Sequence, residues 1–546
     1  MINTMKRRKM RRALDIRTPR EPWQSLIRTR RRLAEEFEPD EDLELDENLE
    51  PNEDKSVPQT DFEEKRREHV FGDNSKLKPA HIEDIQGMPH IVEDIKKFIT
   101  FLKDYRKFKE KNVRVQPGIL LCGDPGTGKT LTARVIATES GAKLIDAGGF
   151  PRRGRGWTAG DIGSLFAMAK EYHAQTERPV IIYFDEFDEV CPDERRYRSE
   201  ASPALMTELD GIGGKPEGIF VIASANSRDV DEGLLRAGRL GYHLRYHPPA
   251  YSGRLEVLKF YLDKKPHGPV DAESLAEVMP YMSPAEIEEL VEQAYMNACF
   301  ASSTPKLTES DLINQLLEEV MGSRSGTWLT DDEHYRACVH EAGHIIVGEQ
   351  LGCPAKLVVV PKKMYERGVT LFGSLEEDPP TLWMIESRLA ASYGGEVAEE
   401  LVFGEHRLGC TNDVGKATEL SIRLVANWGE KVNYCDVVHE DPNLVHNNLI
   451  VPLDEDERSS IYSEARRIRE RCYQRAKEVL EKFGKESIEH VARQIAEREF
   501  LLKRDVGPVV GEARTLNNET VECRAKTDGG EVDFSLDQSA DFAKKR

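Results

Sequence analysis

The sequence lacks the features of a membrane-spanning or secreted chain. It has no run of about 18 apolar residues, the length that a helix needs to cross a bilayer, and no apolar segment near its start that would serve as a secretory signal. Its nine cysteines never occur with Cys-x-x-Cys spacing, which excludes a cysteine-based zinc ribbon and favours reduced thiols. We therefore expect a cytoplasmic protein, with a peripheral membrane location and an organellar matrix left open.

Charge is abundant but unevenly distributed. Lys and Arg number 77 and Asp and Glu number 98, so the formal net charge is -21, and nucleic-acid binding through an overall positive charge is excluded. Residues 1–32 are strongly basic, whereas residues 35–54 are strongly acidic. Segments of this kind bury too little apolar surface to fold. We predict a disordered charged arm over residues 1–78 that is able to contact an anionic membrane surface or partner.

From residue 79 onward, short apolar runs alternate with helical patterns, which is typical of a parallel α/β sheet with crossover helices. The predicted strands are Gly118–Cys122, Lys143–Ala147, Val180–Phe184 and Ile219–Ser224. Beyond residue 264 the apolar residues follow helical spacing. The predicted segments are an α/β domain at 79–265, a small helical lid at 266–325, a mostly α-helical domain at 326–505 and a polar mobile tail at 506–546.

A phosphate-binding loop follows the first predicted strand and opens a helix. The loop has the pattern Gly-x-x-x-x-Gly-Lys-Thr, and its residues are Gly123, Asp124, Pro125, Gly126, Thr127, Gly128, Lys129 and Thr130. Backbone amides at such a turn bind phosphate oxygens together with the helix N-terminus. We expect Lys129 to reach the outer phosphates and Thr130 to bind Mg²⁺.

Polar residues follow two further predicted strands. Asp185 and Glu186 come directly after an apolar run, where we expect Asp185 to hold Mg²⁺ and Glu186 to polarise the water that attacks the γ-phosphate. Asn226 follows the next strand and is placed to help orient that water. These residues favour nucleotide hydrolysis over nucleotide binding alone.

Together, these motifs resemble the AAA+ ATPase module over about residues 79–320. The resemblance implies ATP as the nucleotide and gives a role to Arg236 and Arg239, which are spaced i, i+3. In that family the matching arginines reach into the nucleotide site of a neighbouring subunit, which implies a ring and usually a hexamer. The alternative at each position is a solvated or locally paired arginine.

A second motif, His-Glu-x-x-His, begins at His340. Residues four apart lie on one helix face, so His340 and His344 are spaced to share one Zn²⁺, with Glu341 as the general base for a zinc-bound water. Gly343 destabilises a helix by about 1 kcal/mol relative to Ala, so we expect a close backbone approach there. The third ligand is open, because Asp413 is also a natural helix cap. The alternative third ligands are His334, His406 and Glu399, but no sequence spacing supports any of them.

The two motifs together resemble the FtsH family of ATP-dependent zinc metalloproteases, over about residues 79–505. Besides the motifs above, the resemblance is carried by Tyr393–Gly404, Thr411–Asp413 and Leu209–Ile212. It implies that His340, His344 and Asp413 bind zinc and that Glu341 is the base. It also implies a homo-hexameric ring that unfolds protein substrates and threads them into a peptidase chamber, a role in protein quality control.

Two departures from that family leave alternatives open. Family members usually begin with two membrane spans, which this chain lacks. Members grip substrate with an aromatic, an aliphatic and a glycine residue, whereas this chain has Gly154-Arg155-Gly156 followed by Trp157. We hypothesise that Trp157 grips substrate and that neighbouring arginines favour acidic segments, with a flexible loop as the alternative. The alternative functions are an ATP-driven remodelling machine with an inactive scaffold peptidase region, and a nucleotide-regulated adaptor.

Overall fold

The computed structural model describes part of the chain, namely residues 59–72, 78–111, 117–152, 156–193, 199–211, 218–226, 230–321, 328–361, 368–372, 381–406, 411–428, 455–498 and 500–527. Most of the predicted arm and the last residues of the predicted tail therefore lie outside the described residues. No helix within the described ranges is both long and apolar enough to span a bilayer. The described residues form two compact units, residues 59–272 with 281–316 and residues 273–280 with 317–527.

Strands and helices are numbered in chain order. The strands of the described part are β1 (Gly118–Gly123), β2 (Lys143–Asp146), β3 (Val180–Phe184), β4 (Ile219–Ala225), β5 (Tyr242–Tyr246), β6 (Ala355–Val359), β7 (Val369–Phe372) and β8 (Phe500–Leu502). The α-helices of the same part are α1 (Gln59–Phe71), α2 (Pro89–Lys103), α3 (Tyr105–Glu110), α4 (Lys129–Ser140), α5 (Ala159–Thr176), α6 (Phe187–Val190), α7 (Ala201–Asp210), α8 (Tyr251–Leu262), α9 (Ala272–Glu277), α10 (Pro284–Ala301), α11 (Glu309–Met321), α12 (Asp331–Gln350), α13 (Leu382–Phe403), α14 (Thr411–Trp428), α15 (Glu455–Phe483), α16 (Lys485–Glu497) and α17 (Lys503–Thr527).

The first unit is built on a parallel sheet with the strand order β2-β3-β4-β1-β5. The four predicted strands are all present in it. Strands β1, β3 and β4 are largely apolar because both faces of the sheet are covered. In β3, Ile182 and Phe184 belong to the core on one face, whereas Ile181 and Tyr183 belong to the core on the other.

The edge strand β5 is missing from the sequence prediction. Tyr242, His243 and Arg245 are exposed in it, and Leu244 and Tyr246 are buried. A strand of this length with two inward side chains has little apolar pattern, and its pairing with β1 depends on residues far away in the chain.

Helix α1 corrects the prediction of a disordered arm as far as residue 78. The helix is anchored on the sheet unit by Arg66, which is buried and ion-pairs with Asp161 on α5. The Arg66 side chain also donates to the Pro151 carbonyl oxygen at 3.0 Å and lies over the ring of Phe150. Because this anchor is a charged residue, the apolar periodicity that marks most packed helices is absent from α1.

The predicted helical lid at 266–325 is divided between the two units. Residues 281–316 belong to the first unit and residues 273–280 to the second. Helix α10 begins after Ser283, which accepts a hydrogen bond from the amide of Glu286, and the Glu286 side chain accepts one from the Ser283 amide. This reciprocal arrangement satisfies two amides that a helix start otherwise leaves without a partner.

The second unit is mostly helical, as predicted, and its core is centred on α12. Helices α13, α15 and α16 pack against α12. A small antiparallel sheet with the order β7-β6-β8 lies beside them and is not in the sequence prediction. Strands of three to five residues carry too little alternation to be separated from loops.

The structure also corrects the predicted mobile tail at 506–546. Its first part belongs to helix α17, which buries Val506, Val509, Val510 and Ala513 against the core of the second unit. These residues have the spacing i, i+3, i+4 and i+7 of one helix face. Pro508 lies inside the helix, and burial of this face outweighs the disfavoured proline.

Candidate functional site

The predicted nucleotide-site residues meet at one edge of the parallel sheet. Strand β1 leads into the phosphate loop, β3 ends before Asp185 and Glu186, and β4 ends before Asn226. Strand β4 lies between β1 and β3. Because parallel strands have their carboxyl ends on the same edge, the three segments form one crevice of the type in which such sheets bind ligands.

Two glycines shape the phosphate loop. Gly126 has φ 75° and Gly128 has φ 90°, values that glycine adopts without the steric penalty of other residues. Gly128 is also the N-cap of α4. The first amides of a helix have no intrahelical acceptor, so the start of α4 is suited to bind phosphate oxygens.

Lys129 links the phosphate loop to Asn226. Its ammonium donates to the carbonyl oxygens of Gly123 and Asp124 at 2.8 and 2.9 Å and to Oδ1 of Asn226 at 2.9 Å. The side chain is 8% exposed, and this burial lowers the pKa of Lys129. The structure thus brings two predicted site residues from different strand ends into direct contact.

Thr130 and Asp185 are also in contact. The Thr130 hydroxyl donates to Oδ2 of Asp185 at 3.2 Å. A carboxylate and a hydroxyl oxygen at a phosphate loop are ligands that suit Mg²⁺, which binds through one or two carboxylates together with substrate phosphates. Two further hydroxyl residues, Tyr183 and Ser224, touch this pair, and the sequence analysis missed both because each lies inside an apolar strand.

Glu186 occupies the position directly after Asp185, and its side chain is exposed at the edge of the sheet. Its backbone has φ 48° and ψ 47°, the left-handed region that costs a residue with a side chain about 1–2 kcal/mol. Strain of this kind concentrates at functional sites.

The structure does not bring the two predicted arginines to the phosphate loop of the same chain. Arg239 forms a two-point ion pair with Asp210, with distances of 2.8 Å from Nε and 2.6 Å from Nη2. This hydrogen-bonded pair holds the pKa of Asp210 below its usual range. Arg236 is exposed.

The metal-binding motif lies in the buried middle of α12. His340 and His344 project from one face, and their ring centroids are 4.7 Å apart. The Nδ1 atom of His340 lies 2.7 Å from Oε1 of Glu399, and that of His344 lies 2.7 Å from the Ala391 carbonyl oxygen. Both rings therefore donate from Nδ1 and present Nε2 for binding a metal.

Asp413, at the start of α14, completes a group of three ligands. Its Oδ2 lies 3.3 Å from Nε2 of His340 and 3.5 Å from Nε2 of His344. Ligand atoms bound tetrahedrally to zinc at 2.0–2.1 Å are about 3.3 Å apart, so the residues present fit a zinc ion. Burial lowers the pKa of His340, but hydrogen bonding to Asp413 and Glu399 outweighs burial and raises that pKa to about 10.

Glu341 is held beside the two histidines. It is 5% exposed, and its Oε2 accepts a hydrogen bond of 2.6 Å from the Thr370 hydroxyl on β7. A Cβ atom on Gly368 would lie 2.6 Å from Oε1 of Glu341. The unpredicted strand β7 and the glycine before it therefore fix the orientation of the predicted base.

The close backbone approach predicted at Gly343 is confirmed. A Cβ atom on Gly343 would lie 2.0 Å from the carbonyl oxygen of Gly394 on α13, and one on Gly394 would lie 2.4 Å from the carbonyl oxygen of Gly343. A Cβ atom on Gly395 would lie 2.4 Å from Nε2 of His340. These glycines let α13 approach α12 closely enough for Glu399 to reach His340.

The other open ligand candidates lie elsewhere. His334 is buried, and its Nε2 lies 2.9 Å from the Val360 carbonyl oxygen. His406 lies between two carboxylates, with Nδ1 3.0 Å from Glu400 and Nε2 3.6 Å from Glu396. His406, Glu396 and Glu400 therefore form a group of side chains separate from His340, His344 and Asp413.

The structure also bears on the segment expected to grip substrate. Gly154 and Arg155 lie outside the described residues. The ring of Trp157 is half-buried, stacks on Phe150 with 6.2 Å between centroids, and meets Phe184 edge-on. This packing favours a structural role for Trp157 over the hypothesised gripping role.

Comparison with known proteins finds a family match in each of the two units. A family model described as "ATPase family associated with various cellular activities (AAA)" matches residues 119–247, and "Peptidase family M41" matches residues 327–509. The "ATP-dependent zinc metalloprotease FtsH" of Thermotoga maritima is 31% identical over 446 residues, which are 78% of this chain and 72% of that protein.

Two further similar proteins extend this comparison. The "ATP-dependent zinc metalloprotease FtsH 1" of Bdellovibrio bacteriovorus is 32% identical over 362 residues, 63% of this chain and 55% of that protein. The "ATP-dependent zinc metalloprotease YME1 homolog" of Caenorhabditis elegans is 30% identical over 464 residues, 81% of this chain and 63% of that protein.

Proposed function

Because the chain belongs to the FtsH family of AAA ATP-dependent zinc metalloproteases, we propose that it hydrolyses ATP in its first unit and cleaves peptide bonds of protein substrates in its second. The observation that carries the proposal is that the Nε2 atoms of two imidazoles lie 3.3 and 3.5 Å from one carboxylate oxygen, close to tetrahedral ligand spacing. The carboxylate of Glu341 lies on the same helix as the two imidazoles, so a base accompanies the ligands.

His340, His344 and Asp413 would hold the zinc ion, which supplies a Lewis acid for the scissile carbonyl group and lowers the pKa of a bound water. The Glu341 carboxylate accepts the proton of the attacking water and delivers it to the leaving amine. Thr370 keeps Oε2 of Glu341 hydrogen-bonded and so restrains the direction in which Oε1 points.

In the first unit, the loop amides and Lys129 would bind the phosphates of ATP. Thr130 and Asp185 would hold Mg²⁺, which neutralises charge on the phosphates. Glu186 and Asn226 stand at adjacent strand ends and would orient the attacking water. The Asn226 side chain also accepts a hydrogen bond from Lys129. This contact links the residue proposed to orient the water with the residue proposed to bind the phosphates.

The proposal extends to a homo-hexameric ring that threads protein substrates into a peptidase chamber, in the cytoplasm, with the charged arm on an anionic surface or partner. Family membership supports the ring. Sedimentation of the full chain with ATP tests it, and a hexamer is the expected species. Sedimentation as a monomer under these conditions would contradict it.

Casein degradation tests the catalytic proposal. The parent protein should degrade casein with ATP and not without it. Glu341→Gln should keep ATP hydrolysis and lose degradation, because only the base is changed. Lys129→Ala should lose both activities. ATP hydrolysis by the parent without any cleavage of casein would contradict the proposal and favour the remodelling machine, a function for which the comparisons give no support.

A further inference from the structure

Three hydroxyl groups form a closed ring of hydrogen bonds with the Asp185 carboxylate. Ser224, fully buried on β4, donates to Oδ1 of Asp185. Thr130 donates to Oδ2 at 3.2 Å. The Tyr183 hydroxyl lies 3.0 Å from the Ser224 oxygen and 3.1 Å from the Thr130 oxygen, so it joins the two donors behind the carboxylate.

The number of available protons determines which group donates each hydrogen bond in this ring. Each hydroxyl has one proton to donate, and Ser224 and Thr130 donate theirs to the carboxylate. The Tyr183 proton therefore goes to the oxygen of Ser224 or Thr130. Tyr183 is 4% exposed, so its hydroxyl is shielded from solvent and bonds within the ring.

The ring connects side chains from two paired strands and the helix that follows the phosphate loop. Tyr183 belongs to β3, Ser224 to β4, and Thr130 to the first turn of α4. Thr130 and Asp185 are the two side chains proposed above as magnesium ligands. Partners that hydrogen-bond to metal ligands fix their orientation, and loss of such a partner weakens metal binding by about 10- to 100-fold.

We propose that Tyr183 and Ser224 are positioning residues for Mg²⁺, which hold the Thr130 hydroxyl and the Asp185 carboxylate at the spacing that the nucleotide-bound ion requires. This inference rests on the proposed ATP site and goes beyond it. It requires neither residue to touch nucleotide. It also gives a function to two polar side chains inside strands that are otherwise apolar.

The test measures how much Mg²⁺ strengthens nucleotide binding. A fluorescent ADP analogue is titrated into the full chain in excess Mg²⁺ and in EDTA, and the ratio of the two Kd values is the magnesium-dependent gain. Tyr183→Phe and Ser224→Ala should each lower this gain about tenfold, with the Kd in EDTA unchanged within about twofold. Each substitution removes a single oxygen atom, and either variant serves if the other fails to fold.

Tyr246→Phe is the matched control. The Tyr246 hydroxyl is also buried and donates to a threonine of α4, but to Thr132 at 2.8 Å. This control should keep the parent gain. An unchanged gain in the two test variants, equal losses with and without Mg²⁺, or the same loss in Tyr246→Phe would overturn the inference while leaving the nucleotide site in place. Absence of binding by the parent protein would overturn the nucleotide site and this inference together.

Discussion

The imidazoles of His340 and His344 are oriented by residues that the His-Glu-x-x-His spacing does not include. Glu399 and the Ala391 carbonyl oxygen accept from their Nδ1 atoms, which leaves Nε2 as the ligand atom in both. The two histidines could be predicted because residues four apart share a helix face. No local pattern relates Glu399 to His340, since their contact exists only after two helices have packed.

Glu399 provides a prediction for zinc affinity. Glu399→Gln keeps the size of the side chain but removes the charge that holds the His340 ring. We expect zinc affinity to fall about tenfold, measured by competition with a chromophoric chelator. Glu400→Gln is the control, because Glu400 contacts Tyr473 and His406 instead. Equal zinc affinity in the Glu399 variant and the parent protein would show that this contact does not orient the ligand.

At the scale of elements, the crossing of α12 and α13 depends on paired glycines. The backbones meet at Gly343 and Gly394 without room for a Cβ atom on either. Glycine destabilises a helix because it loses more conformational entropy on folding than other residues. Here it also allows the close approach of the two backbones. That approach is what brings the metal ligands of α12 to their partner on α13.

Substitution of Gly343 tests the crossing. Gly343→Ala should lower the free energy of unfolding by about 2 kcal/mol, because overpacking outweighs the better helix propensity of alanine. Gly415→Ala is the control, since a Cβ atom there would meet nothing within 4 Å, and it should be neutral or stabilising by up to about 1 kcal/mol. Denaturant unfolding measures both. A stabilised Gly343→Ala would refute the close packing.

The strands differ in how well they could be predicted from the sequence. Strands β1, β3 and β4 were predictable because strands covered on both faces are largely apolar. Strands β6 to β8 are short and are not continuous apolar runs covered on both faces, and β8 lies far along the chain from its partner β6, so no local pattern marks this sheet. Strand β7 carries Thr370, which orients Glu341, so the missed sheet contributes directly to the predicted site.

At the scale of the whole molecule, the role of Arg239 depends on whether the chain acts alone or in a ring of subunits. Within one chain its guanidinium pairs with Asp210, whereas the family resemblance implies that it acts in the nucleotide site of a neighbouring subunit. The sequence could not decide between these roles because the spacing of the two arginines is the same in both. The two roles predict different effects on ATP hydrolysis. If Arg239 only pairs with Asp210, hydrolysis does not need its guanidinium; if it acts across subunits, hydrolysis does.

Arg239→Ala should therefore lower the rate of ATP hydrolysis by about 10³-fold, the scale of an arginine that stabilises phosphoryl transfer, and leave nucleotide affinity unchanged. Steady-state hydrolysis and binding of a fluorescent nucleotide measure the two effects. Asp210→Asn breaks the local pair but keeps the guanidinium, so hydrolysis should persist in it. If Arg239→Ala hydrolyses ATP at the parent rate, the local pair is the whole role of Arg239.

The central claim is that the two sites are coupled. The most direct test measures two rates, degradation of a folded protein and cleavage of a short unstructured peptide. Both rates are measured in the same preparations of the parent and the Glu186→Gln protein. The short peptide needs no unfolding, so Glu186→Gln should cleave it at close to the parent rate and fail to degrade the folded protein. Degradation of the folded protein by Glu186→Gln at the parent rate would contradict the account, because proteolysis would then proceed without ATP hydrolysis.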